Sequence, residues 1–464
     1  MNNDINLQKR QSIVVVLGHV DHGKTTLLDA LRKTSVASRE AGGITQGIGA
    51  SVVDSITFID TPGHAAFSKM RGRGAKTADI ALLIIAQDDG VKPQTLEAIQ
   101  IIKDSNLSFI VVGTKNDVAG TNADSTKAEL EKHEIYFEGR GGDTPFVSIS
   151  ARNGDGLKEL IEMIKLLAEV NDFKGDPEGE LEATVIESIK GKMGPTASIV
   201  VRNGTIKVAD TIFAEEIECK VKAIFDENGK SVKEVKMGYP AQIIGFNEVP
   251  VTGASITRTP HSALKEIAKP KNKFDLRRLS DDEIPVIIKA SNAGALEAII
   301  ASLPPKIVVV SSGVGEVTST DVMDAKTGNA YIFSFETKIP NDVIKFAEAE
   351  KIIVKKFDII YELLQEVDEI LKLGKDVELG RAQILASFPF DNKKVAGSKV
   401  ISGKITKGDR IYLVRGDKEI GKAKVFNLKK QKSEVSQVAQ GEEFGVILEP
   451  QLDFTIGDVL VSKR

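Results

Sequence analysis

Ser12-Ile-Val-Val-Val-Leu17 followed by Gly18-His-Val-Asp-His-Gly23-Lys24-Thr25 is the stretch on which the fold turns. After Ser12 the first segment is wholly apolar and mostly β-branched, which predicts a short strand buried on both faces. Gly18 ends that run, and the next eight residues fit G-x-x-x-x-G-K-[ST] and lead into a helical pattern. Glycines let a backbone wrap closely around phosphate oxygens, and the amides of the loop and of the helix N-terminus stabilise the anion. The expected nucleotide cradle is therefore Gly18, His19, Val20, Asp21, His22, Gly23, Lys24, Thr25 and Thr26. Lys24 is expected to reach the β- and γ-phosphates, and the Thr25 hydroxyl to bind Mg²⁺.

Downstream, further apolar runs at 80–86 and 107–112 alternate with helical patterns such as Gln94–Lys103. Strands alternating with helices predict a parallel sheet covered on both faces. Each strand end carries a polar cluster. Asp60-Thr61-Pro62-Gly63-His64 follows Ile56–Ile59, where Asp60 can hold Mg²⁺ through water and Gly63 can offer its N–H to a γ-phosphate. Thr114-Lys115-Asn116-Asp117 follows 107–112, and a carboxylate there can accept both the ring N–H and the exocyclic amine of guanine; adenine has no such donor pair. Ser150-Ala151-Arg152 follows Phe146–Ile149 and can close over the base. The Gly-rich loop Gly42-Gly43-Ile44-Thr45-Gln46 offers Thr45 as a second Mg²⁺ ligand, of the kind that orders only when a γ-phosphate is present. GTP, GDP and Mg²⁺ are the expected cofactors.

The alternation ends near residue 168, and a polar Gly- and Pro-containing linker follows at 171–179. Short alternating strands with Gly punctuation then suggest a β-barrel. Ile284–Ala290, a helix from Gly294 and Lys306–Val310 form a small α/β unit. Asp358–Leu373 has an apolar helical stripe with acidic residues opposite, expected as an exposed spacer helix closed by Gly374. The final stretch is again strand-rich. Asn203–Ile212 echoes Ser402–Ile411, and Val232-x-x-Val235-x-x-Gly238 echoes Val435-x-x-Val438-x-x-Gly441, which suggests two related barrels. The expected domains are 1–170, 180–262, 282–357, a connecting helix at 358–375, and 376–464.

The whole chain of 464 residues has a formal charge of −4, which argues against a uniformly basic coat for nucleic acid. At 41% hydrophobic and 28% charged it can bury several cores. Its single cysteine, Cys219, excludes an intramolecular disulfide and a Cys-based zinc site. The start lacks the apolar core of a signal peptide, and no apolar run reaches spanning length, so a cytoplasmic protein without membrane contact is expected. The segment 381–464 departs from this neutrality, with 16 Lys and Arg against 10 Asp and Glu, a surplus of six positive charges. Lys422, Lys424, Lys429, Lys430 and Lys432 are the candidate surface for phosphates.

GHVDHGKT (18–25), GGITQ (42–46), DTPGH (60–64), TKND (114–117) and SAR (150–152) resemble the five guanine-nucleotide motifs of translational GTPases. The stretch 60–99, with VIESIKGKMGP (185–195), IIKASNAGALEAI (287–299) and 427–445, closely resembles the bacterial translation-initiation-factor-two family over nearly the whole chain. The resemblance implies a P-loop GTPase domain, a β-barrel, an αβα domain, a connecting helix and a terminal β-barrel. It implies that the protein brings formylmethionyl initiator tRNA to the small ribosomal subunit, promotes joining of the large subunit, and hydrolyses GTP on the ribosome as a monomer. It gives His64 the catalytic role of positioning the attacking water. An elongation-type aminoacyl-tRNA carrier and a non-hydrolysing GTP-sensing module are the alternatives. The first is disfavoured by the αβα unit, helix and second barrel, the second by the intact Thr25, Thr45, Asp60 and His64.

This chain departs from the family in places. Thr114 stands where Asn is usual, and Arg152 where Lys is common. In the terminal barrel, Ala396-Gly397-Ser398 and Glu443-Phe444-Gly445 lack the family's cysteines, and Lys430 replaces an arginine. Ser398, Lys430 and Phe444 are the candidate residues for contact with the tRNA. The phosphate loop starts at residue 18, so the long N-terminal extension of many relatives is not expected here.

Overall fold

The run of β-branched residues at the head of the chain forms the strand Ser12–Gly18, buried at every position, and a sheet is built on either side of it. A computed structural model of the chain describes residues 7–33, 49–63, 65–260, 283–373, 378–390, 393–416, 418–430 and 433–463. Thr45, His64, Gly374 and Lys432 lie outside the described residues.

The sheet runs in the order Gly49–Val53, Ile56–Asp60, Ser12–Gly18, Ile80–Ala86, Ser108–Thr114 and Phe146–Ser148. All its pairings are parallel except the first, where Gly49–Val53 returns antiparallel on Ile56–Asp60. A wholly parallel sheet was expected. The difference is a two-residue turn, Asp54-Ser55, with φ of 49° and 62°, the left-handed pair that matches strand twist in a hairpin. Asp-Ser lacks the glycine that usually betrays such a turn. The helix Ser68–Thr77 approaches the sheet closely at Gly74, where a Cβ would lie 3.1 Å from Thr61 and 3.3 Å from Val15.

The chain divides into two compact units, one holding Met1–Leu279 and Pro285–Leu364, the other Gln365–Arg464 with Ser280–Ile284. In the first unit a closed barrel follows the sheet. Thr211–Ala214 pairs on one side with Ser255–Thr257 and on the other with Ile217–Phe225, closing the ring. Cys219 lies in its core, where burial pushes the thiol up to about 12. A four-stranded α/β layer completes the unit, with Ile284–Ala290 and Tyr331–Phe335 at its centre. The layers are joined by specific bonds. The Thr57 hydroxyl donates to Gly238 O at 2.6 Å, and Arg73 makes a bidentate pair with Glu297 at 2.5 and 2.9 Å.

The helix Ile360–Leu373 follows, and its stripe is not exposed: Ile360, Leu363 and Val367 have no accessible surface and Ile370 retains 4%. An apolar face at i, i+3, i+7 and i+10 costs less when covered, so this is a packed helix. The second unit is a barrel closed between Glu378–Phe390 and Lys393–Thr406.

The two barrels repeat one another bond for bond. Ile206 pairs with Val235 and Ile405 with Val438. Asp210 accepts from Lys207 N at 3.0 Å, and Asp409 from Thr406 N at 2.7 Å. Gly238 N donates to Val201 O, and Gly441 N to Val400 O. The matching segments of sequence thus mark the same turn in each barrel.

Candidate functional site

The polar clusters noted in the sequence converge on one end of the six-stranded sheet, because parallel strands carry their C-terminal loops to the same edge. Gly18 closes the central strand with φ 152°, and a Cβ there would run into the carbonyl of Ile84. The loop then needs left-handed backbone at Asp21 (φ 61°) and Gly23 (φ 87°) before the helix Lys24–Arg32 begins. Leu27 N donates to Gly23 O at 2.8 Å, so the helix amides start directly behind the loop.

Lys24 is 5% exposed, and its ammonium donates to Gly18 O at 3.0 Å and His19 O at 2.5 Å. Burial lowers it to about 8, against the opposing pull of Asp60. His22 is buried, with Nε2 3.3 Å from the Asp89 carboxylate. Burial lowers its imidazole to about 4, outweighing the hydrogen bond to Asp89, so the ring is neutral at pH 7. His19 packs edge-on at 5.0 Å and is also lowered, chiefly by burial and then by Lys24. Val20 N donates to Gln94 Oε1 at 3.0 Å. The phosphate loop is thus tied at two points to the segment following Ile80–Ala86.

Asp60 ends its strand almost fully buried. Thr61 turns its hydroxyl to Val16 O at 2.7 Å, and Pro62 O accepts from Arg71 at 2.9 Å. Arg71 is wholly enclosed and also clasps Glu97 at 2.6 and 2.7 Å. Gly63 lies against Lys24 and Val20: a Cβ would overlap the Lys24 ammonium and come within 3.0 Å of Val20 N. Only glycine permits this approach of the two loops, and it leaves backbone amides, a buried ammonium and a buried carboxylate facing one place. That donor set fits a polyphosphate with its metal: Lys24 and the loop amides for the oxygens, Thr25 and Asp60 for the cation.

Thr114 uses its hydroxyl to hold His22 O at 2.7 Å and Ile85 O at 3.4 Å. The cross-link between loops survives the loss of the usual carboxamide. Lys115, with φ 59°, reaches Asp88 at 3.3 Å. Asp117 is exposed, and the Ser150 hydroxyl holds its carboxyl below the usual range. Ser150 is itself buried, whereas Ala151 is half-buried and Arg152 exposed. A carboxylate kept ionised and open to solvent suits the N–H and amine edge of guanine.

In the terminal barrel, Ser398 and Phe444 face each other in register, and both side chains are buried, Phe444 within the barrel core. Lys430 is half-exposed and pairs with Glu442 at 2.5 Å. Of the three tRNA candidates, Lys430 alone presents its side chain to solvent. The sequence does not mark Arg71 and Gln94: a helical arginine and a glutamine on a polar helix start carry no pattern, and only the packed loops give them partners.

The architecture and the convergent loops define a guanine-nucleotide-binding protein of the translational GTPase class. The family model for the elongation factor Tu GTP-binding domain matches residues 9–169, that for elongation factor G domain 2 residues 180–259, and that for translation-initiation factor 2 residues 259–368. Translation initiation factor IF-2 of Caldanaerobacter subterraneus subsp. tengcongensis is 40% identical, over 98% of this chain and 69% of that protein. Those of Thermoanaerobacter sp. (strain X514) and Aquifex aeolicus are 39% and 38% identical, covering 71% and 61% of their lengths. The crystal structure of GDP-bound aIF5B from Aeropyrum pernix aligns with 98% of this chain and 92% of its own at 24% identity, with a TM-score of 0.46. The chain belongs to the translation initiation factor IF-2 family and is a translation initiation GTPase. It spans between half and about seven-tenths of the length of such relatives. Among the described residues no helix is long and apolar enough to cross a membrane.

Proposed function

We propose that this protein delivers formylmethionyl initiator tRNA to the small ribosomal subunit, promotes joining of the large subunit, and is stimulated by the ribosome to hydrolyse GTP, acting in the cytoplasm as a monomer. The observation that carries the reading is the convergence of Lys24, Asp60, Gly63, Thr114 and Asp117 at one sheet edge, in a chain similar over 98% of its length to initiation factors. In this reading Gly18–Thr26 and Asp60–Gly63 hold the phosphates, and Thr114, Lys115, Asp117 and Ser150–Arg152 hold the base. Thr25 and Thr45 ligate Mg²⁺, whose charge, when it is bound, offsets that of the phosphates. His64 orients the water that attacks the γ-phosphate, and the neutral, buried His22 keeps the loop in place without adding charge. In this reading the domains are 1–170, 180–262, 282–357, a connecting helix at 358–375 and 376–464, with the last holding the tRNA through Lys430 and neighbouring backbone.

Filter binding with formylated initiator, unformylated initiator and elongator tRNA tests the reading. Preference for the formylated initiator is expected. Equal retention of all three tRNAs would leave a GTPase without the delivery role.

A further inference from the structure

The basic residues of the terminal barrel do not form the surface that their spacing along the chain suggests. Lys430 is committed to Glu442, and Lys422 pairs with Glu419 at 3.5 Å. Strand pairing assembles a different group. Arg410 lies directly opposite Lys424 on one neighbouring strand and opposite Lys463 on the other. Directly opposed residues of an antiparallel sheet share a face, with Cα atoms about 4.5–5.5 Å apart. The inward residues Ile411, Leu413 and Leu460 belong to the barrel core, so Arg410, Lys424 and Lys463 project outward together.

Three like charges in one cross-strand row repel and weaken the sheet. The row ends at Glu449, opposite Lys424, and at Glu378, opposite Lys463, and Glu378 is taken by Arg381 at 2.5 Å. Arg410 and Lys424 are exposed and make no ion pair among the described residues. Lys463 lies over the Tyr412 ring at 4.5 Å, with Lys422 over the same ring at 5.1 Å. A cross-strand row built for stability alone would alternate the signs. This one keeps three cations in line, at the spacing of adjacent strands.

We propose that the row Lys424, Arg410 and Lys463 is an RNA-backbone contact surface, gripping successive phosphates of a bound RNA strand, separate from Ser398, Phe444 and Lys430. It deepens the tRNA-delivery reading and rests on it for the identity of the RNA. Charge complementarity selects the occupant: a linear polyanion with a charge every few ångströms matches a linear row of cations. The contact reads no base, so it contributes affinity and orientation and leaves discrimination to other parts of the barrel.

The test uses the full chain and labelled initiator tRNA, with binding followed by fluorescence anisotropy from 50 to 300 mM KCl. The triple variant R410Q/K424Q/K463Q should lower the slope of log K against log [KCl] by about two to three, given roughly 0.7–0.9 per phosphate contact. Arg410→Lys should keep the wild-type slope. Arg410→Glu places an acid between two lysines; it should raise the melting temperature while weakening RNA binding. An unchanged slope in a folded triple variant overturns the proposal, as does an Arg410→Glu protein that melts lower and binds RNA like wild type. If wild type fails to bind initiator tRNA yet binds a 16-base-pair RNA duplex with a row-dependent slope, the surface stands and the delivery reading falls. Failure to bind either RNA overturns both. Vesicles of phosphatidylcholine and phosphatidylglycerol supply the competing polyanion: a row that governs vesicle binding and leaves RNA binding unchanged overturns the RNA assignment.

Discussion

Replacing Arg71 with Met should loosen the turn that presents Gly63 to the phosphate loop. Arg71 is fully enclosed, donates to Pro62 O at 2.9 Å and holds Glu97 through two bonds of 2.6 and 2.7 Å. Breaking a buried pair by removing one partner costs roughly 3–5 kcal/mol. The Glu97 side chain keeps 29% of its exposure and can rehydrate, which lowers that figure to about 2 kcal/mol. The Pro62 carbonyl loses a charged donor, adding about 1 kcal/mol. The sum, about 3 kcal/mol, corresponds to a roughly hundredfold increase in local opening. Amide hydrogen exchange over 56–77 is the suitable assay, since a multidomain chain does not unfold in two states. Removing only the charge of the acid, in Glu97→Gln, leaves the enclosed guanidinium without its compensating carboxylate and should also be destabilising. The double variant R71M/E97M should exchange more slowly than R71M, because replacing both charges with apolar groups is often near neutral. A less than threefold change in R71M, or a double variant as costly as the sum of its parts, would refute the claim that this pair holds the turn. The accompanying functional change is weaker GTP binding with GDP binding nearly preserved, read by fluorescent-nucleotide titration.

Other consequences are open to direct measurement. Asp117→Asn should shift preference from guanine to xanthine nucleotides; unchanged selectivity in competition binding would remove Asp117 from the base site. His64→Ala should leave GTP affinity near wild type and slow ribosome-stimulated turnover by roughly a hundredfold or more, as expected for loss of a proton-handling or water-orienting group. His22 should make the nucleotide domain sensitive to acid. Its folded-state value is about 4 against 6.5 in the unfolded chain, so between these the unfolded state binds the extra proton. Stability is intact above about pH 6.5 and falls by up to about 3 kcal/mol as pH drops towards 4. A His22→Asn variant should lose this component, and the slope of local hydrogen-exchange protection against pH measures it.

How far the sequence reaches depends on whether a property is local. The strand Ser12–Gly18, the left-handed positions of the phosphate loop and the helix behind it follow from neighbouring residues, and they form where the spacing places them. The same holds for the barrel turns, where Asp210 and Asp409 each accept from the residue three before them. The turn at Asp54-Ser55 is not legible in the sequence, because its left-handed pair lacks the usual glycine. The buried stripe of Ile360–Leu373 was legible as apolar, but nothing within a helix says whether its apolar face is covered.

Chain order therefore determined the elements, the nucleotide motifs and the doubled barrel, since these rest on backbone preference and spacing within a few residues. Only the tertiary structure decided which side chains meet. Arg71 found Glu97 across 26 residues, and Thr114 found His22 O across 92. Arg410, Lys424 and Lys463 became one row through strand register, while Lys430, six residues from Lys424, turned to Glu442. Long-range partners are chosen by how layers pack and how strands align, and a linear pattern does not carry that information.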